Sequence, residues 1–68
     1  MKKRSLTIDG HRTSISLEDE FWEGLKHIVD NRAGTLIDII REIDEKRNSG
    51  LSSAIRIFVL NYFKDKSA

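Results

Sequence analysis

Arg12, Ser14 and Ser16 are the residues of this chain whose types and spacing best suit the recognition of a ligand. They alternate with less polar neighbours, so an extended strand would present all three side chains on one face. A guanidinium donates hydrogen bonds in a fixed fork, and a hydroxyl both donates and accepts. The same alternation is also typical of an ordinary half-buried strand with a solvated outer face.

Basic residues are concentrated at the amino end of the chain. Residues 1–16 carry Lys2, Lys3, Arg4 and Arg12 against the single acid Asp9, whereas residues 17–50 carry nine acids and five bases. The net charge of the whole chain is only +1. A basic segment on an otherwise balanced chain suits contact with a polyanion such as DNA, RNA or an anionic lipid surface, although a solvated terminus has the same composition.

The residue types that catalysis or metal binding would need are not grouped in this sequence. Cysteine is absent, and the two histidines, His11 and His27, have neither metal-ligand spacing nor a nucleophilic partner. The sequence contains no glycine-rich phosphate loop. We therefore expect a chain that is not an enzyme and that uses no cofactor and no metal.

The chain is short for a protein that folds alone. A chain of 68 residues buries only about 60% of the surface that it exposes when unfolded. Without cysteine it has no disulfides, so association with a second copy is the remaining source of stability, and we expect a homodimer. The longest apolar runs are too short to span a bilayer, and nothing resembles a secretory signal, so we expect a cytoplasmic protein with no membrane partner.

A strand is predicted over residues 11–17, where polar and apolar residues alternate. If the strand continued backwards, Leu6 and Ile8 would fall on its polar face. Asp9-Gly10 is a favoured two-residue hairpin turn that would return both residues to the apolar face. The pairs would then be Ile8 with His11 and Leu6 with Thr13. The alternative is that residues 1–10 form a mobile basic arm.

Three helices are predicted after this strand, because the hydrophobic period changes to the helical one. The first covers about residues 18–32, with a capping signal at Ser16 and Asp19. The second begins after Thr35, a suitable N-cap residue. The third begins near Ser52 or Ser53, and its apolar surface is broader than one stripe, so we expect it to be buried on more than one side.

One convincing strand leaves a row of backbone donors and acceptors without partners. The simplest solution in a twofold dimer is antiparallel pairing with the same strand of the second copy, with Ile15 and Leu17 facing the helices. The opposite face would then present Arg12, Ser14 and Ser16 twice. A two-stranded ribbon is narrow enough to enter the major groove of B-form DNA, where base pairs differ in their pattern of donors and acceptors.

Three segments together carry a family resemblance. They are the strand Arg12-Thr-Ser-Ile-Ser-Leu17, the acidic turn Glu18-Asp-Glu20 that leads into Phe21, and the helix opened by Gly50-Leu-Ser-Ser53. With these segments the chain resembles the ribbon-helix-helix family of bacterial DNA-binding regulators, and more narrowly a branch of short proteins. The likeness covers about residues 11–64.

The resemblance implies a mainly α fold in which one N-terminal strand pairs across a homodimer and two to three helices follow. It also implies a sequence-specific regulator of transcription, most simply a repressor, that binds double-stranded DNA. Arg12 is then the best candidate for a base contact, because a guanidinium binds guanine O6 and N7 together, which is worth about 1–3 kcal/mol of discrimination. Ser14 and Ser16 would give weaker readout of bases.

In this family the amino terminus of the second helix contacts a phosphate. If the third predicted helix corresponds to the second helix of the family, the resemblance implies that Ser52 and Ser53 contact the phosphate, since a helix start offers free backbone amides to an anion. Residues 35–47 look like an additional helix relative to the minimal pattern, so Gly34 and Thr35 are the alternative phosphate contact.

Lys2, Lys3 and Arg4 would add nonspecific phosphate contacts. We expect residues 1–10 to be a basic arm or short hairpin, residues 11–65 the DNA-binding domain and residues 66–68 a tail. The dimer core is expected to contain the apolar residues of the strand and helices, namely Ile15, Leu17, Phe21, Leu25, Ile55 and Val59.

A protein-interaction module is the main alternative, either an antitoxin or a dimeric adaptor. An antitoxin of the usual design needs a carboxy-terminal segment that wraps its toxin, and only about five residues follow Phe63 here. A broad apolar surface on the third helix would serve an adaptor equally well.

Overall fold

The chain folds as a β-hairpin followed by three helices. A computed structural model describes residues 1–67, and Ala68, the last residue of the expected tail, lies outside the described residues. The elements in chain order are β1 (Lys2–Ile8), β2 (His11–Leu17), α1 (Asp19–Asp30), α2 (Leu36–Lys46) and α3 (Leu51–Ser67). Helix α3 therefore includes Lys66 and Ser67 of the expected tail, because neither proline nor glycine follows residue 50 to stop it.

The turn between the strands is formed by Asp9 and Gly10. Both have positive φ, 51° and 81°, as a type I′ hairpin turn requires. The strands pair antiparallel, with Ile8 opposite His11 and with Leu6 opposite Thr13. The predicted hairpin is thus confirmed, and the alternative of a mobile arm is wrong.

The expectation of a single N-terminal strand also needs correction. Strand β2 has a partner within its own chain, because the Asp-Gly turn folds β1 back against one edge of β2. The two strands form a two-stranded sheet within one chain. If β2 also paired with the β2 strand of a second copy, that pairing would use the free edge of β2. The first hydrogen-bonding partner of β2 is already supplied by β1.

Helix α1 begins after Glu18, which is its N-cap residue but makes no capping hydrogen bond through its side chain. The predicted capping signal at Ser16 is wrong, because Ser16 is still part of β2. Asp19 and Glu20 place negative charge in the first turn, where the helix dipole favours it. The helix ends at Asp30, two residues before the predicted end, and the side chain of Asn31 donates to the His27 carbonyl over 2.8 Å.

Helix α2 begins at the predicted N-cap, Thr35. The Thr35 hydroxyl accepts from the Asp38 N–H, and the Asp38 carboxylate accepts from the Thr35 N–H, which is a capping box. Helix α3 begins at Leu51, one or two residues before the predicted start. The Gly50 carbonyl accepts the first helical hydrogen bond there, from the N–H of Ala54 at 2.9 Å.

The core lies between the inner face of the hairpin and the three helices. Helix α3 packs against both other helices and, on the sheet, against β2, whereas α2 packs on the sheet against β1. The buried apolar side chains are Ile8, Ile15, Leu17, Trp22, Leu25, Ile28, Ile39, Ile40, Ile43, Ile55 and Val59. Within the described residues, no helix has the length and apolar character that crossing a membrane requires.

Candidate nucleic-acid interface

The outer face of the hairpin is entirely polar. Paired residues of antiparallel strands point to the same side of a sheet, so the register collects six polar side chains on the face away from the helices. Along β1 and then β2, they are Lys3, Ser5, Thr7, Arg12, Ser14 and Ser16. All are exposed except Ser16, which is half-buried. The structure thus brings the three predicted base-contact residues together and adds three from β1.

Strand β2 keeps one free edge in the single chain. Ile8 and His11 flank a two-residue turn and form a hydrogen-bonded pair, and the pattern alternates along the strand from there. The backbone groups of His11 and every second residue after it therefore face β1. Those of Arg12, Ser14 and Ser16 point away from β1, where a further strand could pair with them.

The three adjacent basic residues do not form one patch. Lys3 lies on the outer face, whereas Lys2 and Arg4 pair with Leu17 and Ile15 and so lie on the face toward the helices. The guanidinium of Arg4 lies 5.3 Å from the centre of the Trp22 ring. The indole Nε1 of Trp22 donates to the Lys2 carbonyl over 2.9 Å, which attaches β1 to α1.

The amino terminus of α2 is poorly suited to hold a phosphate. The carboxylate of Asp38, in the first turn of this helix, already accepts a hydrogen bond from the Thr35 N–H at 3.0 Å. That hydrogen bond is the main reason that the pKa of the Asp38 carboxyl lies below its usual value, with the Thr35 side chain second. A fixed negative charge at this helix start repels a second anion, so the arrangement disfavours Gly34 and Thr35 as the phosphate contact.

The amino terminus of α3 differs, because its first turn contains no acidic residue. Ser52 is half-buried and Ser53 is exposed in this turn. One turn later, Arg56 donates to the carboxylate of Glu18 at 2.9 Å. This hydrogen bond lowers the pKa of Glu18, and it fixes the start of α3 beside the end of β2. The predicted phosphate-contact residues Ser52 and Ser53 therefore lie near the open end of the hairpin.

Most of the residues expected in a dimer core belong to the hydrophobic core of the single chain. Ile15, Leu17, Leu25, Ile55 and Val59 are all buried there without a second copy. Phe21 is only half-buried and packs against the edge of this core. The hairpin and three helices supply enough apolar surface to cover the other five residues within one chain.

Helix α3 has a second apolar side that the chain does not cover. Ile57 is 55% exposed and Leu60 is 62% exposed. Helices α1 and α2 and strand β2 all pack against α3, but none of them covers the side at Ile57 and Leu60, which was expected to widen its buried surface.

The residues Lys3, Ser5 and Thr7 were not all predicted as part of the site. Lys3 was expected as a phosphate contact, but Ser5 and Thr7 had no assigned role. The sequence signal that identifies them is the Asp9-Gly10 turn, because the strand register that follows from it places each of these residues opposite a residue on the polar face of β2. Among the residues that the structure describes, no cluster of three or more His, Asp or Glu side chains could hold a metal ion.

Comparison with known proteins identifies this architecture. The profile of the ribbon-helix-helix domain matches residues 1–63, which include both strands and nearly all of the three helices. The chain belongs to the ribbon-helix-helix family. Ribbon-helix-helix proteins are a family of DNA-binding proteins that generally dimerise and are typically not catalytic. No curated protein and no solved structure matches this ribbon-helix-helix chain.

Proposed function

We propose that this ribbon-helix-helix chain is a sequence-specific DNA-binding regulator of transcription that acts as a repressor. A homodimer inserts a β-ribbon into the major groove, and Arg12, Ser14 and Ser16 contact base edges there. The observation that carries the proposal is the outer face of β2, where these three side chains lie in one row with Arg12 and Ser14 exposed.

The free edge of β2 is the dimer contact in this proposal. Natural edge strands are protected from pairing by lysine, proline or a bulge. Strand β2 has neither lysine nor proline, and its register with β1 is continuous, whereas β1 begins with Lys2 and Lys3. The exposed apolar side of α3 at Ile57 and Leu60 is a second surface that this proposal assigns to contact with the second copy.

Arg12 is the principal base contact. Within the described residues its side chain makes no hydrogen bond or ion pair, so it is available to a ligand, unlike Arg56, which is bound to Glu18. A bidentate contact with guanine is worth about 1–3 kcal/mol, or about 5- to 150-fold in affinity. The serine hydroxyls are short and both donate and accept, so they contribute less selectivity.

The start of α3 supports the ribbon by contacting a phosphate through the first turn that holds Ser52 and Ser53. Of the three helix starts, those of α1 and α2 carry acidic residues and that of α3 does not. Free N–H groups and the positive end of the helix dipole favour an anion there.

Binding to DNA is tested by fluorescence anisotropy with a duplex selected from a random library. We expect the affinity of Arg12→Ala to fall by at least the 5-fold estimated for one contact, since the dimer loses two. Arg32→Ala is the matched control, because it removes the same charge from an exposed arginine that is paired with Glu42. Equal losses in the two variants would contradict base readout by Arg12. Failure of a folded wild-type dimer to bind any duplex at low salt would favour the adaptor function instead.

The dimer contact is tested with two proline variants at opposite positions of the hairpin. Ser5 and Ser14 face each other, and the N–H of each points away from the other strand, so proline at either position leaves the hairpin hydrogen bonds intact. We expect Ser14→Pro to be monomeric in sedimentation equilibrium and Ser5→Pro to stay dimeric. A dimeric Ser14→Pro variant would refute pairing through β2.

A further inference from the structure

Strand β1 presents a second row of side chains beside the proposed reading strand. Lys3, Ser5 and Thr7 stand opposite Ser16, Ser14 and Arg12 and point to the same outer face. All three β1 residues are exposed. Any surface that receives the outer face of β2 therefore also meets these three side chains.

These side chains are free to bind a ligand. In the part of the chain that the structure describes, Lys3 and Thr7 make no side-chain hydrogen bond or ion pair, and Ser5 has only a long contact of 3.4 Å with the Ser14 hydroxyl. The neighbouring cation Arg4 differs, because it lies over the Trp22 ring on the opposite face. Of the three basic residues in β1, Lys3 is thus the one that the register places on the same face as Arg12.

The width of the sheet determines what this row would contact. If two β2 strands pair at the dimer axis, the order across the sheet becomes β1, β2, β2 and β1. Neighbouring strands are about 4.8 Å apart, so the two outer strands are separated by about 14 Å. The major groove is about 12 Å wide. The central pair fits inside the groove, and each β1 lies above one of the phosphate backbones at its rims.

We propose that β1 is a phosphate-binding strand, in which Lys3, Ser5 and Thr7 bind the DNA backbone at both rims of the groove that the β2 strands occupy. The inference rests on the proposed function. The Lys3 ammonium supplies charge, and the two hydroxyls donate hydrogen bonds to phosphate oxygens. These contacts fix the position of the ribbon and carry no sequence information, in contrast to those of Arg12.

The decisive experiment compares adjacent lysines on opposite faces of β1. Each phosphate contact adds about 0.9 to the slope of log affinity against log salt, so Lys3→Ala should lower the slope of the dimer by about 1.8 on a mixed-sequence duplex. Lys2→Ala removes the same charge one residue away and should leave the slope unchanged. Circular dichroism melts confirm that both variants are folded.

A second pair of variants tests the hydroxyl contacts without changing charge. Thr7→Val keeps the shape of the side chain and removes its donor, and we expect affinity to fall about 2- to 12-fold for each lost hydrogen bond. Thr13→Val is the control, because Thr13 lies on the face toward the helices and pairs with Leu6. It should bind DNA as the wild type does.

The outcomes separate this inference from the proposed function. Equal slopes for Lys3→Ala and Lys2→Ala, in a protein whose binding is weakened by Arg12→Ala, would overturn the role of β1 and leave base readout in place. Loss of discrimination between the selected and mixed duplexes in Lys3→Ala would also overturn it, since it would make Lys3 a base contact. A wild type that binds neither duplex would overturn the proposed function and this inference with it.

Discussion

Replacing Gly24 with alanine tests how closely α1 and α3 pack. Alanine normally stabilises a helix interior by about 1 kcal/mol relative to glycine. Here a Cβ at position 24 would lie 2.7 Å from Val59 Cγ1 and 3.2 Å from Phe63 Cε2. Val59 is buried and stiff at χ1, so it cannot rotate away freely, and overpacking of this kind costs about 1–3 kcal/mol. We expect Gly24→Ala to lower the free energy of unfolding by about 1 kcal/mol net.

Thermal denaturation measures this effect, at one fixed protein concentration because the Tm of the proposed dimer would depend on concentration. A loss of 1 kcal/mol corresponds to a fall in Tm of about 4–8 °C for a domain of this size. In a Val59→Ala background the nearest clash is gone, so the same Gly24→Ala change should become stabilising. A higher Tm for Gly24→Ala alone, or the same sign in both backgrounds, would refute the close approach of the two helices.

Three further changes test the hairpin and its attachment to the helices. Gly10→Ala should lower the free energy of unfolding, measured by chemical denaturation, by about 1–2 kcal/mol because φ is positive at this residue. Gly50→Ala is the control and should be nearly neutral, since an added Cβ has open space at both positions but φ is positive only at Gly10. Trp22→Phe should cost about 1 kcal/mol through the lost hydrogen bond to Lys2 and should speed amide exchange in β1; unchanged exchange would contradict that attachment. Glu18→Gln should be less stable than the wild type at pH 7, because the Glu18 carboxylate is stabilised by the hydrogen bond from Arg56, which lowers its pKa in the folded state. The difference in stability should shrink as the pH falls below the ordinary pKa of 4.5, since protonation of Glu18 removes this stabilisation of the folded state. A difference in Tm that stays constant from neutral to acidic pH would contradict this assignment.

Local sequence signals predicted the elements well and their ends less well. The Asp9-Gly10 turn and the parity of Leu6 and Ile8 predicted the hairpin and its register, since both depend on neighbours in the chain. Thr35 predicted the start of α2 because its capping box is also local. Ser16 failed as a cap because sheet pairing, a contact at long range along the chain, keeps it in β2.

The polar face of β2 in the candidate site was predictable from the sequence, whereas the placement of the basic residues of β1 was not. Alternation alone placed Arg12, Ser14 and Ser16 on one face, which the register confirms. A run of basic residues cannot show which of them share a face until the strand is paired. The separation of Lys3 from Arg4 therefore required the register, and the position of Arg4 over Trp22 required the packing of α1 against β1.

The hairpin changes what a second copy has to supply. A lone strand needs a partner to satisfy its backbone, but here β1 already satisfies one edge of β2 and closes the core of the single chain. Among the surfaces that one chain leaves uncovered are the other edge of β2 and the apolar side of α3 at Ile57 and Leu60. In the proposed dimer a second copy would cover both features, because a twofold axis presents the same surfaces of two chains to each other. Dimerisation would then double the polar outer face of the hairpin, in addition to covering surfaces that the buried core of one chain leaves exposed.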